Sequence, residues 1–207
     1  MTDSRVTLFY APQSRATGAL ALMEELGVPY DLEVLNFKTK QQRGDKYLAV
    51  NPMGKVPAVL YKGVLVTEQP AVYMFLADLY AEKGLAPAIG DPLRGAYLRW
   101  MVFYGSSFEP AVVDRAMQNK PADPSTCPYG DFDTMLATLE SQLKQGPWML
   151  GERFTALDVL WGVALRWTTG FKLVPESPVI KTYTERANAL PSVQKARAKD
   201  AEYAAKQ

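Results

Sequence analysis

Histidine is absent from the 207 residues. That excludes a His general base, any triad built on one, and metal sites with imidazole ligands. There is a single cysteine, Cys127, so neither an internal disulfide nor a Cys-x-x-Cys redox pair can form. An excess of either charge is also missing. Lys+Arg 23 against Asp+Glu 22 leaves a formal charge of +1, and no basic run stands out, so nothing points to nucleic acid or an anionic membrane. No apolar run is long enough to span a bilayer. Met1-Thr2-Asp3-Ser4-Arg5 leads straight into a strand pattern without a signal peptide. A cytoplasmic protein with small-molecule partners and no metal is therefore expected. Internal repeats and low-complexity tracts are absent too.

What is present is a hydrophobic content of 48%, enough for one large core or two small ones. Val6-Thr7-Leu8-Phe9-Tyr10 reads as a buried strand, followed by a turn at Ala11-Pro12-Gln13. Ser14 can cap a helix whose apolar face is Ala16, Ala19, Leu20, Met23 and Leu26, and Gly27-Val28-Pro29 stops it. Tyr30, Leu32 and Val34 alternate with charges as a second strand, and Lys38 to Lys46 is polar and loop-like. Residues 1–83 thus read βαβ, loop or short helix, then ββα, a thioredoxin-like arrangement. Gly84 to Pro92 reads as a linker, and 93–207 as an all-helical domain. Within it, Leu93, Tyr97, Trp100, Met101, Tyr104 and Phe108 form one long stripe that Pro110 should bend or end near Glu109. Pro121 to Pro128 reads as a loop. Phe132, Met135, Leu136, Leu139 and Leu143 form the next face. Phe154-Thr155-Ala156-Leu157-Asp158 is a capping box in which Thr155 bonds the N–H three residues on and Asp158 reaches back to the Thr155 N–H.

Residues 51–72 are the stretch that organises the rest. Two short apolar runs, Val56 to Tyr61 and Val64 to Thr67, meet across Lys62-Gly63, the length and glycine placement of a β-hairpin. A helix follows from Pro70, so Glu68 and Gln69 are delivered to a helix N-terminus, where free N–H groups and the dipole favour an anion. The order Asn51-Pro52-Met53-Gly54-Lys55-Val56-Pro57-Ala58, hairpin, Thr67-Glu68-Gln69-Pro70-Ala71 resembles the glutathione-binding half of the glutathione transferases, and the capping box at Thr155 extends the resemblance to the second half.

The resemblance implies a cis Val56-Pro57 bond that presents the valine backbone to the cysteinyl part of glutathione, with Glu68 and its neighbour Gln69 at the γ-glutamyl end. Gln69 departs from the serine most members carry there. Lys40 resembles the lysine that reaches the glycyl end in beta-type members. Ser14-Arg15 stands where those bacterial beta-type members carry Ser-Cys, so the class cysteine is replaced. Glutathione reacts as its thiolate, and a hydroxyl donating at a helix N-terminus lowers the thiol pKa. Ser14 is the first candidate for that role, with an ordinary N-cap as its other reading. Tyr10 is the next candidate, or else a buried strand aromatic. Arg15 can stabilise the thiolate, clamp a carboxylate, or simply be solvated. Tyr104 and Phe108 are candidate walls for a second substrate between the domains, or core. The implied protein is a homodimeric glutathione transferase that takes glutathione as co-substrate and attacks an electrophilic, apolar small molecule. A glutathione-dependent lyase, dehalogenase or isomerase on the same scaffold, and a non-catalytic binding module, are the rivals.

Overall fold

The structure, a computed structural model, describes residues 5–120 and 123–207. The chain divides into two compact units, one holding the residues up to Lys83 together with Leu190–Gln207, the other Gly84–Ala189.

In the first unit β1 (Val6–Tyr10), α1 (Ala16–Leu26) and β2 (Tyr30–Val34) form a parallel βαβ, and α2 (Asp45–Leu48) follows a single 3₁₀ turn within the segment read as a polar loop. The hairpin β3 (Ala58–Tyr61) and β4 (Val64–Val66) then leads into α3 (Gln69–Leu79). The sheet order is β2-β1-β3-β4, with β1 parallel to β2 and antiparallel to β3. Lys62 (φ 49°) and Gly63 (φ 80°) make the hairpin turn, both in the left-handed region that two-residue loops of this twist require. This is the thioredoxin-like arrangement, with α1 as its most enclosed helix. Leu20, Leu22 and Met23 are fully buried, and each such side chain is worth about 1.5–3 kcal/mol of transfer energy.

The burial of α1 on two sides has a cause that lies at the other end of the chain. The last helix, α9 (Pro191–Ala205), packs along α1. The expected division placed 190–207 with the helical domain, and the structure corrects it. Those residues lie in the first unit because α9 is bound there by charge as well as by Val193 and Ala196. Glu24 of α1, with a side chain only 4% exposed, receives Lys195 and Lys199 at 2.5 Å each, and the Tyr30 hydroxyl donates to it at 2.6 Å. At the chain end the Gln207 side chain donates to the Leu35 carbonyl at 3.2 Å.

The second unit is helical: α4 (Arg94–Phe103), α5 (Glu109–Met117), α6 (Phe132–Leu143), α7 (Ala156–Gly170) and α8 (Pro178–Asn188). Pro110 neither ends nor sharply breaks the long stripe. A π-helical turn, Tyr104–Phe108, joins α4 to α5, and the Glu109 N–H bonds the Tyr104 carbonyl five residues back. That widening accommodates a proline, which lacks an N–H and crowds the carbonyl four residues before it. The segment read as a linker belongs to this unit: the Leu85 carbonyl accepts from Ala156 N–H (2.8 Å), and Asp91 pairs with Arg153 (2.6 Å). Of the loop expected at 121–128, residues 121 and 122 lie outside the described residues and 124–129 run as turns.

Thr155 caps α7, and Asp158, its third residue, completes the capping box. The Asp158 carboxylate accepts from Thr155 N–H (2.8 Å), Met149 N–H (2.7 Å) and the Tyr183 hydroxyl (2.9 Å). The Thr155 hydroxyl accepts from Leu157 N–H, two residues on. Burial pushes the Asp158 pKa up to about 6 against those hydrogen bonds. The acid therefore serves folding: every one of these donors would be left buried without it.

The α1–α9 pairing predicts a pH signature. Burial raises the Glu24 pKa, but the hydrogen bonds from Lys195, Lys199 and Tyr30 outweigh it and hold the carboxyl at about 2 against an ordinary 4.5. A folded-state pKa below the unfolded one gives stability that is complete above pH 4.5 and fades as the pH falls through 2. Lys195 is 64% exposed and contributes little, so Glu24→Gln should cost about 1–2 kcal/mol near neutral pH. Denaturant titrations at pH 7 and pH 3 should show that cost shrinking on acidification, and a constant difference would refute the pairing as its source.

Candidate functional site

The sheet order decides what can meet. Because β3 runs antiparallel to both neighbours, the end of β1, the start of β3 and the end of β4 lie at one edge of the sheet. Continuing the pairs Phe9–Ala58 and Val59–Val66 by one and two steps sets Tyr10 and Glu68 on either side of Pro57. The end of β2 reaches the same edge, where the Leu35 N–H bonds the Tyr10 carbonyl at 2.7 Å.

Pro57 begins the site. The Val56-Pro57 peptide bond is cis, as the resemblance implies, and the residue before it is gripped from α2. The Lys55 carbonyl accepts from the Tyr47 hydroxyl (2.6 Å) and from the Asn51 side-chain amide (2.9 Å). Asn51, 2% exposed, also accepts from Met53 N–H at 3.1 Å, closing the turn on itself. Gly54 is required at φ 60°, since a Cβ there would stand 2.5 Å from the Gln42 carbonyl oxygen. The Asn-Pro-x-Gly signature thus has a mechanical meaning: it is the clamp that fixes the chain entering Val56.

Glu68 precedes α3 in a left-handed conformation (φ 62°, ψ 115°), exposed, with no side-chain cap on the helix. The helix begins at Gln69, which puts Pro70 one place further in than expected. The Gln69 side-chain amide donates to the Arg15 carbonyl at 3.4 Å, so the start of α3 and the β1–α1 loop are neighbours. Ser14, Arg15, Val56, Pro57, Glu68 and Gln69 therefore gather at one edge. Lys40 follows β2 in an exposed turn at φ 58°.

At the start of α1 the expected N-cap needs correction, and of the two readings of Tyr10 the buried strand aromatic fits the structure. Ser14 is not the N-cap; Arg15 holds that position in helical conformation without a side-chain bond, and α1 starts at Ala16. The Ser14 hydroxyl donates to the Ala11 carbonyl (2.7 Å) and accepts from Ala16 N–H (3.1 Å). It points into the loop, and to donate to a sulfur it must release Ala11. Tyr10 is fully buried and donates its hydroxyl to Asp200 of α9. Burial first, and then the adjoining Asp200 carboxylate, raise its pKa far above the phenol range. A phenol so committed has no proton to offer a ligand.

Of the two readings of Tyr104 and Phe108, pocket wall or core, the structure fits the second: they are 1% and 0% exposed. Their rings pack 5.4 and 4.9 Å from Trp161, and the Tyr104 hydroxyl donates to Glu109 at 2.6 Å. They fill the core of the second unit. Cys127 stands in the turns before α6, well apart in sequence from the edge residues. Among the described residues no group of acidic, cysteine or histidine side chains could hold a metal ion, and no helix is long and apolar enough to cross a membrane.

Sequence reasoning missed Asp200. Its carboxylate accepts from Tyr10, from Thr17 (2.5 Å) and from the Gln13 N–H (3.1 and 3.2 Å), so it encloses the loop that carries Ser14. Nothing local signals this, because the partners lie more than 180 positions away.

Comparison with known proteins follows the same division. Residues 4–78 match the glutathione S-transferase N-terminal domain, and residues 129–186 the C-terminal domain. The chain belongs to the glutathione transferase family. It is 28% identical over 192 residues to glutathione S-transferase GstA of Escherichia coli O157:H7, covering 91% of this chain and 96% of that one. A glutathione transferase from Methylococcus capsulatus superposes with a TM-score of 0.80 at 29% identity, covering 95% and 98%. A homologue from Sulfitobacter with bound glutathione superposes at 0.76 with 26% identity, over 95% and 98% of the two chains.

The clamp on Lys55 is testable without any ligand. Asn51→Ala removes a buried donor to the Lys55 carbonyl and the acceptor for Met53 N–H, and should lower unfolding free energy by about 1–3 kcal/mol. A denaturation midpoint that does not move would show that the turn holds itself without Asn51.

Proposed function

We propose that this protein is a glutathione transferase in which Ser14 stabilises the glutathione thiolate for attack on an electrophilic, apolar small molecule. The reading is supported above all by one observation: the cis Val56-Pro57 segment, the open N-terminus of α3 behind Glu68, and the Ser14 loop share one sheet edge, with Gln69 touching the Arg15 carbonyl. The backbone of Val56 aligns the cysteinyl part of the tripeptide. Glu68, Gln69 and the positive end of the α3 dipole take the γ-glutamyl end, an amine and a carboxylate together. Lys40 takes the glycyl carboxylate.

The catalytic task is to hold the sulfur as an anion. The Ser14 hydroxyl turns from Ala11 to the sulfur and donates there, and Arg15, exposed beside it, adds positive charge. With neither a histidine nor a cysteine in the loop, no covalent mixed-disulfide step and no imidazole base take part. The thiolate attacks the electrophile, a carbon–sulfur bond forms, and the leaving group departs with the displaced electron pair. A homodimer and a cytoplasmic setting, with detoxification as the role, complete the reading on the strength of the family.

Ser14→Ala should leave glutathione affinity near the wild-type value at low pH, raise the pKa of the bound thiol, and slow turnover of a reactive aryl halide. Losing one hydrogen bond to a charged group costs about 1.5–3 kcal/mol, a drop of roughly tenfold to a hundredfold. Thiolate absorbance in the ultraviolet reads the pKa directly; a bound thiol no more acidic than free glutathione in the wild type would overturn the enzyme reading. Calorimetry of Glu68→Ala combined with Gln69→Ala should show weakened glutathione binding, whereas an unchanged dissociation constant would move the γ-glutamyl site elsewhere.

A further inference from the structure

The β1–α1 loop is short of internal support. Gln13 lies in the left-handed region at φ 56° without being a glycine, Arg15 precedes the helix without a capping side-chain bond, residues 13 and 15 are exposed, and the Ser14 hydroxyl, which ties the Ala11 carbonyl to the Ala16 N–H, gives up its bond to Ala11 when it turns to a sulfur. A loop of this kind does not hold a hydroxyl to a fraction of an ångström by itself. What holds it is the carboxylate of Asp200. One oxygen accepts from the Tyr10 hydroxyl at the end of β1 and from the Thr17 hydroxyl in the first turn of α1, and both oxygens lie 3.1 and 3.2 Å from the Gln13 N–H. The donors bracket Ser14 on both sides, so one side chain fixes where the loop leaves the sheet, its strained residue and where it enters the helix.

We propose that Asp200 is a positioning residue for the thiolate site, acting through the loop that carries Ser14. The inference rests on the reading of Ser14 as the thiolate donor. Asp200 touches neither glutathione nor the reacting atoms. Asp200 reaches the loop from α9, which lies along α1 with Val193 and Ala196 buried, while Glu24 with Lys195 and Lys199 is a separate tie between the two helices away from the loop. A carboxylate suits the position because three donors converge on it, whereas an amide would turn one N–H toward them.

The test compares Asp200→Asn with Glu24→Gln, which weakens the same helix pair without touching the loop, and with Ser14→Ala. Three quantities are read on folded, active-site-titrated protein: the pKa of bound glutathione by thiolate absorbance, kcat against KM with an aryl halide, and amide hydrogen exchange across residues 11–17. Asp200→Asn should raise the thiol pKa and lower kcat by about tenfold, with KM for glutathione within about twofold, and should speed exchange in the loop. Glu24→Gln should lower the melting temperature while leaving thiol pKa and kcat in place. If Ser14→Ala raises the thiol pKa and Asp200→Asn does not, the positioning role is wrong and the Ser14 reading stands. If Ser14→Ala has no effect, the Ser14 reading falls and takes this inference with it. Equal shifts in Glu24→Gln and Asp200→Asn would reduce Asp200 to general helix docking and overturn the proposal. Should Asp200→Asn not fold, Thr17→Val removes one of the donors; it should move the thiol pKa in the same direction by a smaller amount, and an unmoved value counts against the positioning role.

Discussion

The antiparallel entry of β3 between β1 and β4 is the constraint on which everything else in the first unit depends. With β1 and β2 parallel on one side and the hairpin on the other, the loops after β1, β2 and β4 and the segment before β3 all fall at the same sheet edge. Each of those segments is then held by a different device. The segment before β3 is held by Tyr47 and Asn51 on the Lys55 carbonyl, and the loop after β1 by Asp200 from the far end of the chain. The start of α3 touches the β1–α1 loop through Gln69. A sheet edge built this way presents backbone groups and a helix N-terminus, the groups a peptide with carboxylates at both ends can use.

The two units solve the problem of buried polarity differently. In the second, Asp158 gathers two backbone N–H groups and a tyrosine hydroxyl in the core, and aromatic rings around Trp161 supply the apolar mass. In the first, the carboxylates of Glu24 and Asp200 join α1 to α9. The helix that ends the chain is polar in sequence because its charges are spent on α1 and the loop beside it, not on solvent alone. That is why the last 18 residues belong with the first unit.

Much of this was legible in the residues. The Lys62-Gly63 hairpin, the helix stop at Gly27, the capping box at Thr155 and the Asn51-to-Pro57 signature are all local patterns whose partners lie within about ten positions, the range over which spacing carries information. The thioredoxin-like order and the helical second half follow from them. What could not be read were contacts between distant segments. Tyr10 looked like a possible donor until Asp200, 190 positions away, was found to hold it. Tyr104 and Phe108 showed the right aromatic stripe, and only three-dimensional packing on Trp161 distinguishes core from wall. Ser14 illustrates a finer limit: the pattern placed a hydroxyl at a helix start, and a shift of one residue turned it from cap to loop tie.

The central claim is that Ser14, released from the Ala11 carbonyl, donates to the glutathione sulfur at the edge formed by Pro57 and α3. A crystal structure of the protein with glutathione bound measures that contact directly. The account predicts the sulfur within about 3.5 Å of the Ser14 hydroxyl oxygen, as expected for a hydrogen bond to so large an atom, with the γ-glutamyl carboxylate at the N-terminus of α3. A sulfur turned away from Ser14, with the hydroxyl still donating to Ala11, would contradict it.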